Sequence, residues 1–102
     1  MLVEGFDEHN VYEFTCVHNG HINIKLAYLN VGDNTSISHT ASLPEGLSLV
    51  NNQDGVYING SILDESDQQF NITFSYNNGI QTVSKTCTIK YHVLIPITFS
   101  SL

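Results

Sequence analysis

The sequence has no arginine and no tryptophan, and only three lysines (Lys25, Lys85 and Lys90) stand against ten Asp and Glu. Nucleic-acid binding is excluded on that ground, because releasing counterions from phosphates takes cationic side chains this chain lacks. A net charge of −7 opposes anionic membrane surfaces by the same logic. Charged residues make up only 13%, well below the rough quarter of an ordinary soluble domain. Hydration therefore rests on Asn, Ser, Thr and Gln, a surface better suited to strands than to helices. No run approaches the roughly 18 apolar residues of a membrane span. The first residues, Met1-Leu2-Val3-Glu4-Gly5-Phe6-Asp7-Glu8, show neither the basic region nor the apolar stretch of an export signal. The expectation is a chain that stays in the cytoplasm where it is made, or a piece excised from something larger.

What is present is apolar material in alternation. Of the 102 residues, 41% are hydrophobic, with five Phe and five Tyr spread along the chain, enough for one core and too little for two. Period two dominates and helical periodicity is absent. Tyr12, Phe14 and Cys16 alternate with Glu13, Thr15 and Val17. Ile22, Ile24, Leu26 and Tyr28 alternate with Asn23, Lys25 and Ala27. Between these runs, Asn19-Gly20 reads as the type I′ turn of a tight hairpin. Later, Phe70, Ile72, Phe74 and Tyr76 share one face, and Val83, Cys87, Ile89, Tyr91 and Val93 another, with Asn77-Asn78-Gly79 as a second hairpin turn. Lys85 interrupts the second series, which implies a bulge or a stretch lying beyond the core. Ser36–Ala41, Leu47–Val50 and Val56–Ile62 supply shorter strands. Gly60 is expected near a strand end or bulge, because the alternation runs through it. Six or seven strands with frequent turn signals describe an all-β sandwich.

The stretch Leu43-Pro44-Glu45-Gly46-Leu47-Ser48-Leu49, followed by Asp54-Gly55 and by Val56-Tyr57-Ile58-Asn59-Gly60, has a physical logic. Pro44 sets a turn, Gly46 can take a positive φ, and Leu47 and Leu49 then enter the core. This cadence resembles the Ig-like, cadherin-like and dystroglycan-type modules of bacterial surface proteins and phage virion proteins. Their closing aromatic hairpin is matched by Phe70–Phe74 and Thr86–Val93. The resemblance covers residues 43–93, and more loosely 11–93, and implies an Ig-like antiparallel β-sandwich of about seven strands. Ser61-Ile62-Leu63-Asp64-Glu65 departs from the family, which has a Thr-Pro-like turn there. A lone module also departs from the tandem arrays in which such domains usually sit. The domain is expected at 11–93, after an N-terminal arm at 1–10 and before an apolar segment at 94–102.

Chemistry-bearing constellations are few. His18 and His21 flank the Asn19-Gly20 turn, but no third metal ligand stands at a readable spacing. Asp64, Glu65 and Asp67 lack the spacing of a calcium loop and read as a solvated turn. There is no Gly-x-Ser-x-Gly elbow, no Gly-rich phosphate loop, and no carboxylate on an apolar face. No catalytic residue, metal or cofactor is therefore expected. Three Asn-X-Ser/Thr triplets begin at Asn34, Asn59 and Asn71; a chain this rich in Asn, Ser and Thr yields roughly two by chance, so they do not indicate glycosylation. Cys16 and Cys87 match no zinc or redox motif. The resemblance makes the first and last strands neighbours, so the two thiols could meet there; in a reducing compartment they are expected to stay free.

The chain continues past the family pattern as Leu94-Ile95-Pro96-Ile97-Thr98-Phe99-Ser100-Ser101-Leu102. Such an apolar run either folds back onto its own sandwich or docks on a neighbouring subunit, and the docking residues would be Leu94, Ile95, Ile97, Phe99 and Leu102. The functional expectation is a non-enzymatic protein–protein interaction module, a structural or decoration protein of a tailed-phage virion. Its partners would be other virion subunits of capsid, neck or tail, and weak contact with cell-surface glycans is also implied. The alternative is a cell-surface adhesion or glycan-binding module of a larger bacterial protein.

Overall fold

A computed structural model of the chain describes residues 2–3, 10–30 and 32–96. Eight strands are present among the described residues: β1 (Leu2–Val3), β2 (Val11–Val17), β3 (His21–Tyr28), β4 (Ser38–Ala41), β5 (Leu47–Asn52), β6 (Gly55–Ser61), β7 (Gln68–Asn77) and β8 (Thr82–Leu94). They form two four-stranded sheets, ordered β1-β3-β6-β5 and β2-β8-β7-β4. The expected all-β sandwich is what the chain adopts. The only helical element among the described residues is the one-turn Asn34–Ser36.

The core lies between the inward faces of the two sheets. Leu26, Ala27, Val56 and Ile58 come from one, and Ile72, Phe74, Cys87, Ile89 and Tyr91 from the other, all fully buried. Leu47 is buried and Leu49 packs partly buried against the same cluster, as the alternation of 43–60 implies. Gly46 sits at φ +94°, and a Cβ there would lie 2.5 Å from the Ser61 carbonyl oxygen. The turn needs glycine twice over, for its backbone angle and for the close approach of β6.

Two expectations are corrected. The first hairpin does not exist. β2 pairs with β8 in parallel and β3 pairs with β6, so Val17–Ile22 carries the chain from one sheet to the other. A type I′ turn needs positive φ at both central residues; here Asn19 has φ 66° and no other residue of Val17–Gly20 is positive. The Gly20 N–H closes the turn on the Val17 carbonyl, in the geometry that splays strands. The sandwich is consequently not wholly antiparallel.

Second, the alternation of β3 slips. Leu26 and Ala27 together face Val56 across a register shift, so both are buried. Tyr28 is thrown onto the face of Lys25, whose ammonium lies 5.0 Å from the ring centroid. A bulge reverses parity for every residue after it.

Of the two readings of Lys85, the stretch lying beyond the core is the one found, with no bulge. The register from Gln68↔Tyr91 to Asn77↔Thr82 is unbroken, with Lys85 opposite Phe74. β8 instead runs past the core: Thr82 through Thr86 are exposed, and the β2 register begins only at Thr88. Pairing through Gly60 is likewise continuous on both sides, so it marks the end of β6 and not a bulge.

Parallel pairing of β2 with β8 places Cys16 opposite Val93, six residues from Cys87. That is about 20 Å along a strand, against a limit of about 7 Å for a disulfide. Both cysteines are free and buried. Asn34 is also committed: its Oδ1 accepts from the Leu29 N–H and its Nδ2 donates to the Gln53 carbonyl. This buried amide anchors the loop between β3 and β4, so its nitrogen is not free to carry a glycan.

Candidate functional site

The tops of β2 and β8 finish together. Val17 is the register partner of Leu94, and the His18 N–H donates to the Leu94 carbonyl at 2.9 Å. The sheet-crossing turn is stapled to the end of β6 by Asn19 N–H to the Ile62 carbonyl at 2.7 Å and Ile62 N–H to the Gly20 carbonyl at 2.8 Å. Around this fixed corner, three apolar side chains face solvent: Val17 at 44%, Leu94 at 56% and Ile95 at 50%. Leu63, also exposed, lies instead against Gly46, where an added Cβ would come within 2.8 Å of its Cγ. Val17 was not anticipated, because only the strand pairing brings it beside the last strand. Ile97, Phe99 and Leu102 lie outside the described residues.

A charged cluster borders the apolar corner. His92 Nδ1 lies 2.9 Å from Asp67 Oδ2, and Nε2 lies 2.5 Å from Glu13 Oε2. The imidazole thus links β2, β8 and the loop between β6 and β7. With a carboxylate on each nitrogen, its pKa is held above the ordinary value, chiefly by Asp67 and then by Glu13. Asp67 is lowered, first by His92 and then by the Val93 N–H, which donates to it at 2.9 Å. Asp64 accepts from the Tyr91 hydroxyl at 2.6 Å, and the His18 ring contacts the Asp64 carbonyl oxygen at 2.9 Å. Glu65 and Asp67 are both largely exposed, at 79% and 63%, with Glu65 Oε1 3.9 Å from His18 Nε2. The acidic turn is solvated at Glu65 and Asp67, as expected, and is in addition tied to the last strand through Asp64 and Asp67.

Sequence reasoning did not find this cluster. Glu13 and His92 both stand at outward positions, but nothing in their spacing says that β2 and β8 are neighbours. Chemically the arrangement is a clamp. The two carboxylates approach opposite nitrogens of one ring, which does not enclose a common point for an ion. Among the described residues no group of three or more His, Cys, Asp or Glu is placed to hold a metal, and no pocket is found.

Comparison of the chain with protein-family models, curated proteins and solved structures gives no match.

Proposed function

We propose that the chain is a non-enzymatic, Ig-like protein–protein interaction module, and that its place is in a tailed-phage virion as a structural or decoration protein of capsid, neck or tail. The observation that carries the interaction reading is the apolar corner of Val17, Leu94 and Ile95. Contiguous exposed apolar surface on a soluble domain is a mark of contact with a partner. The corner sits on backbone held by three cross-element hydrogen bonds, so docking there would order little that is loose. The virion setting rests on the resemblance of residues 43–60 and on the acidic, arginine-free composition, which disfavours nucleic acid as the partner.

Binding of purified protein to particles lacking it, measured by co-sedimentation, tests this reading. Leu94→Asp with Ile95→Asp is expected to abolish particle binding while leaving the melting midpoint within a few degrees of wild type. Deletion of residues 94–102 should do the same. Unfolding of the isolated domain on deletion would assign the segment to its own core. Wild-type binding by the double variant would remove the corner from the interface, and retention on host cells but not on particles would favour the adhesion alternative.

A further inference from the structure

The end of the molecule opposite the apolar corner is built as a projecting arm. β4 reaches only to Ser75 on β7, and β2 begins opposite Thr88 on β8, so the distal β7–β8 hairpin extends past both described neighbours in its sheet. Val83 falls on the same side of β8 as the buried Cys87, Ile89 and Tyr91, yet is 39% exposed.

The arm is stiffened along its outer face by cross-strand side-chain pairs: Thr73–Thr86 at 2.9 Å, Ser75–Ser84 at 2.8 Å and Asn77–Thr82 at 3.2 Å. Its turn is locked from within. Asn77 Oδ1 accepts from the Gly79 N–H, and Asn78 Oδ1 accepts from the N–H groups of both Ile80 and Gln81. At the apex of this fixed turn stands Ile80, 92% exposed. A turn bonded so completely holds its apolar side chain outward at little further entropic cost on docking.

The two ends complement each other. Residues 75–86 carry one charge, that of Lys85. The corner at the far end of β8 is apolar and bordered by Glu13, Asp64, Glu65 and Asp67, with Glu13 and Asp67 already drawn to His92. Val83 and Leu94 are separated by about 36 Å along one strand, too far for one copy to satisfy itself.

We propose that copies of this chain associate head to tail, the Ile80–Val83 arm of one seating on the Val17–Leu94–Ile95 corner of the next. The proposal rests on the reading of that corner as a docking surface and names its partner. Such a contact is heterologous: each copy uses both ends once, giving an open row or a ring. A single knob with its flanking residues buries less than the roughly 1,000 Å² of a stable interface, so the association is weak and concentration-dependent.

Sedimentation velocity over a rising concentration series tests it, with circular dichroism confirming that each variant is folded. Wild type is expected to grow in size with concentration. Ile80→Asp, in an exposed turn, and Leu94→Asp, at an exposed strand end, should each remain monomeric alone. Mixed together, they should form a one-to-one dimer that grows no further, since each retains one working end. A wild type that stays monomeric throughout overturns the proposal, as does an Ile80→Asp chain that assembles like wild type. Particle binding separates the two readings: Ile80→Asp that fails to self-associate but binds particles normally leaves the corner as a docking surface for other subunits. Loss of particle binding in Leu94→Asp with wild-type self-association would overturn the head-to-tail contact alone.

Discussion

The Tyr91 hydroxyl donates to a carboxylate oxygen of Asp64 at 2.6 Å, joining the largest fully buried side chain among the described residues to the loop that crosses from β6 to β7. The ring itself stacks on Phe14, with centroids 5.6 Å apart, and meets Phe70 edge-on at 6.3 Å. Tyr91→Phe keeps those ring contacts and removes only the hydroxyl. A hydrogen bond to a charged acceptor is worth about 1.5–3 kcal/mol, and a loss of that order is expected in urea melts with an unchanged slope. A variant as stable as wild type would mean that solvent replaces the bond and that the loop needs no tie.

The His92 clamp sets a pH dependence. His92 is raised in the fold, so its contribution is complete below the ordinary histidine value of about 6.5 and fades as pH climbs through the raised one. Asp67 is lowered; its contribution is complete above the ordinary carboxylate value of about 3.9 and fades as pH falls through the lowered one. Both act fully between about pH 4 and 6.5. The melting midpoint should therefore decline from pH 6 toward pH 8, and His92→Gln should flatten that decline. A decline of equal steepness in His92→Gln would assign it to other histidines.

Gly46→Val places a branched side chain at φ +94° against the Ser61 carbonyl oxygen. Strain at such a position costs on the order of 1–3 kcal/mol, and the displaced contact adds to it. Thermal denaturation checks this: a midpoint equal to that of wild type would show that the turn can rearrange at no cost.

Neither thiol should react in the native protein at neutral pH. Burial pushes Cys87 up to about 11, and Cys16 is also raised, by burial first and then by Asp64 and Asp67. A thiol reagent is expected to find both groups in denaturant and neither without it. Rapid native reaction would mean that β2 or β8 opens, and absence of both thiols in denaturant would contradict the parallel register that keeps them apart.

Much of the fold was legible in the chain because alternation and turn chemistry are local. The β7–β8 hairpin, the Gly46 turn, and the inward placing of Phe74, Ile89 and Tyr91 follow from side chains that point to opposite faces in turn and from residues that tolerate positive φ. Leu94 and Ile95 were legible too, as apolar residues in a run that the expected core did not absorb. Glu13 and His92 were not, since a hydrogen bond between residues 79 positions apart in sequence leaves no trace in local spacing.

The sequence by itself determined that the chain makes strands, roughly where they start and stop, and which of their residues are apolar. Which strands become neighbours was decided only in three dimensions. Asn19-Gly20 serves equally well in a hairpin or a sheet-crossing turn, and the choice fell to β8, whose edge takes β2 in parallel while β6 takes β3. The bulge at Leu26–Ala27 was decided there as well, because burying both residues against Val56 outweighed keeping strict alternation. Local propensity specifies the strands, whereas pairing depends on how two apolar faces can be closed over one core.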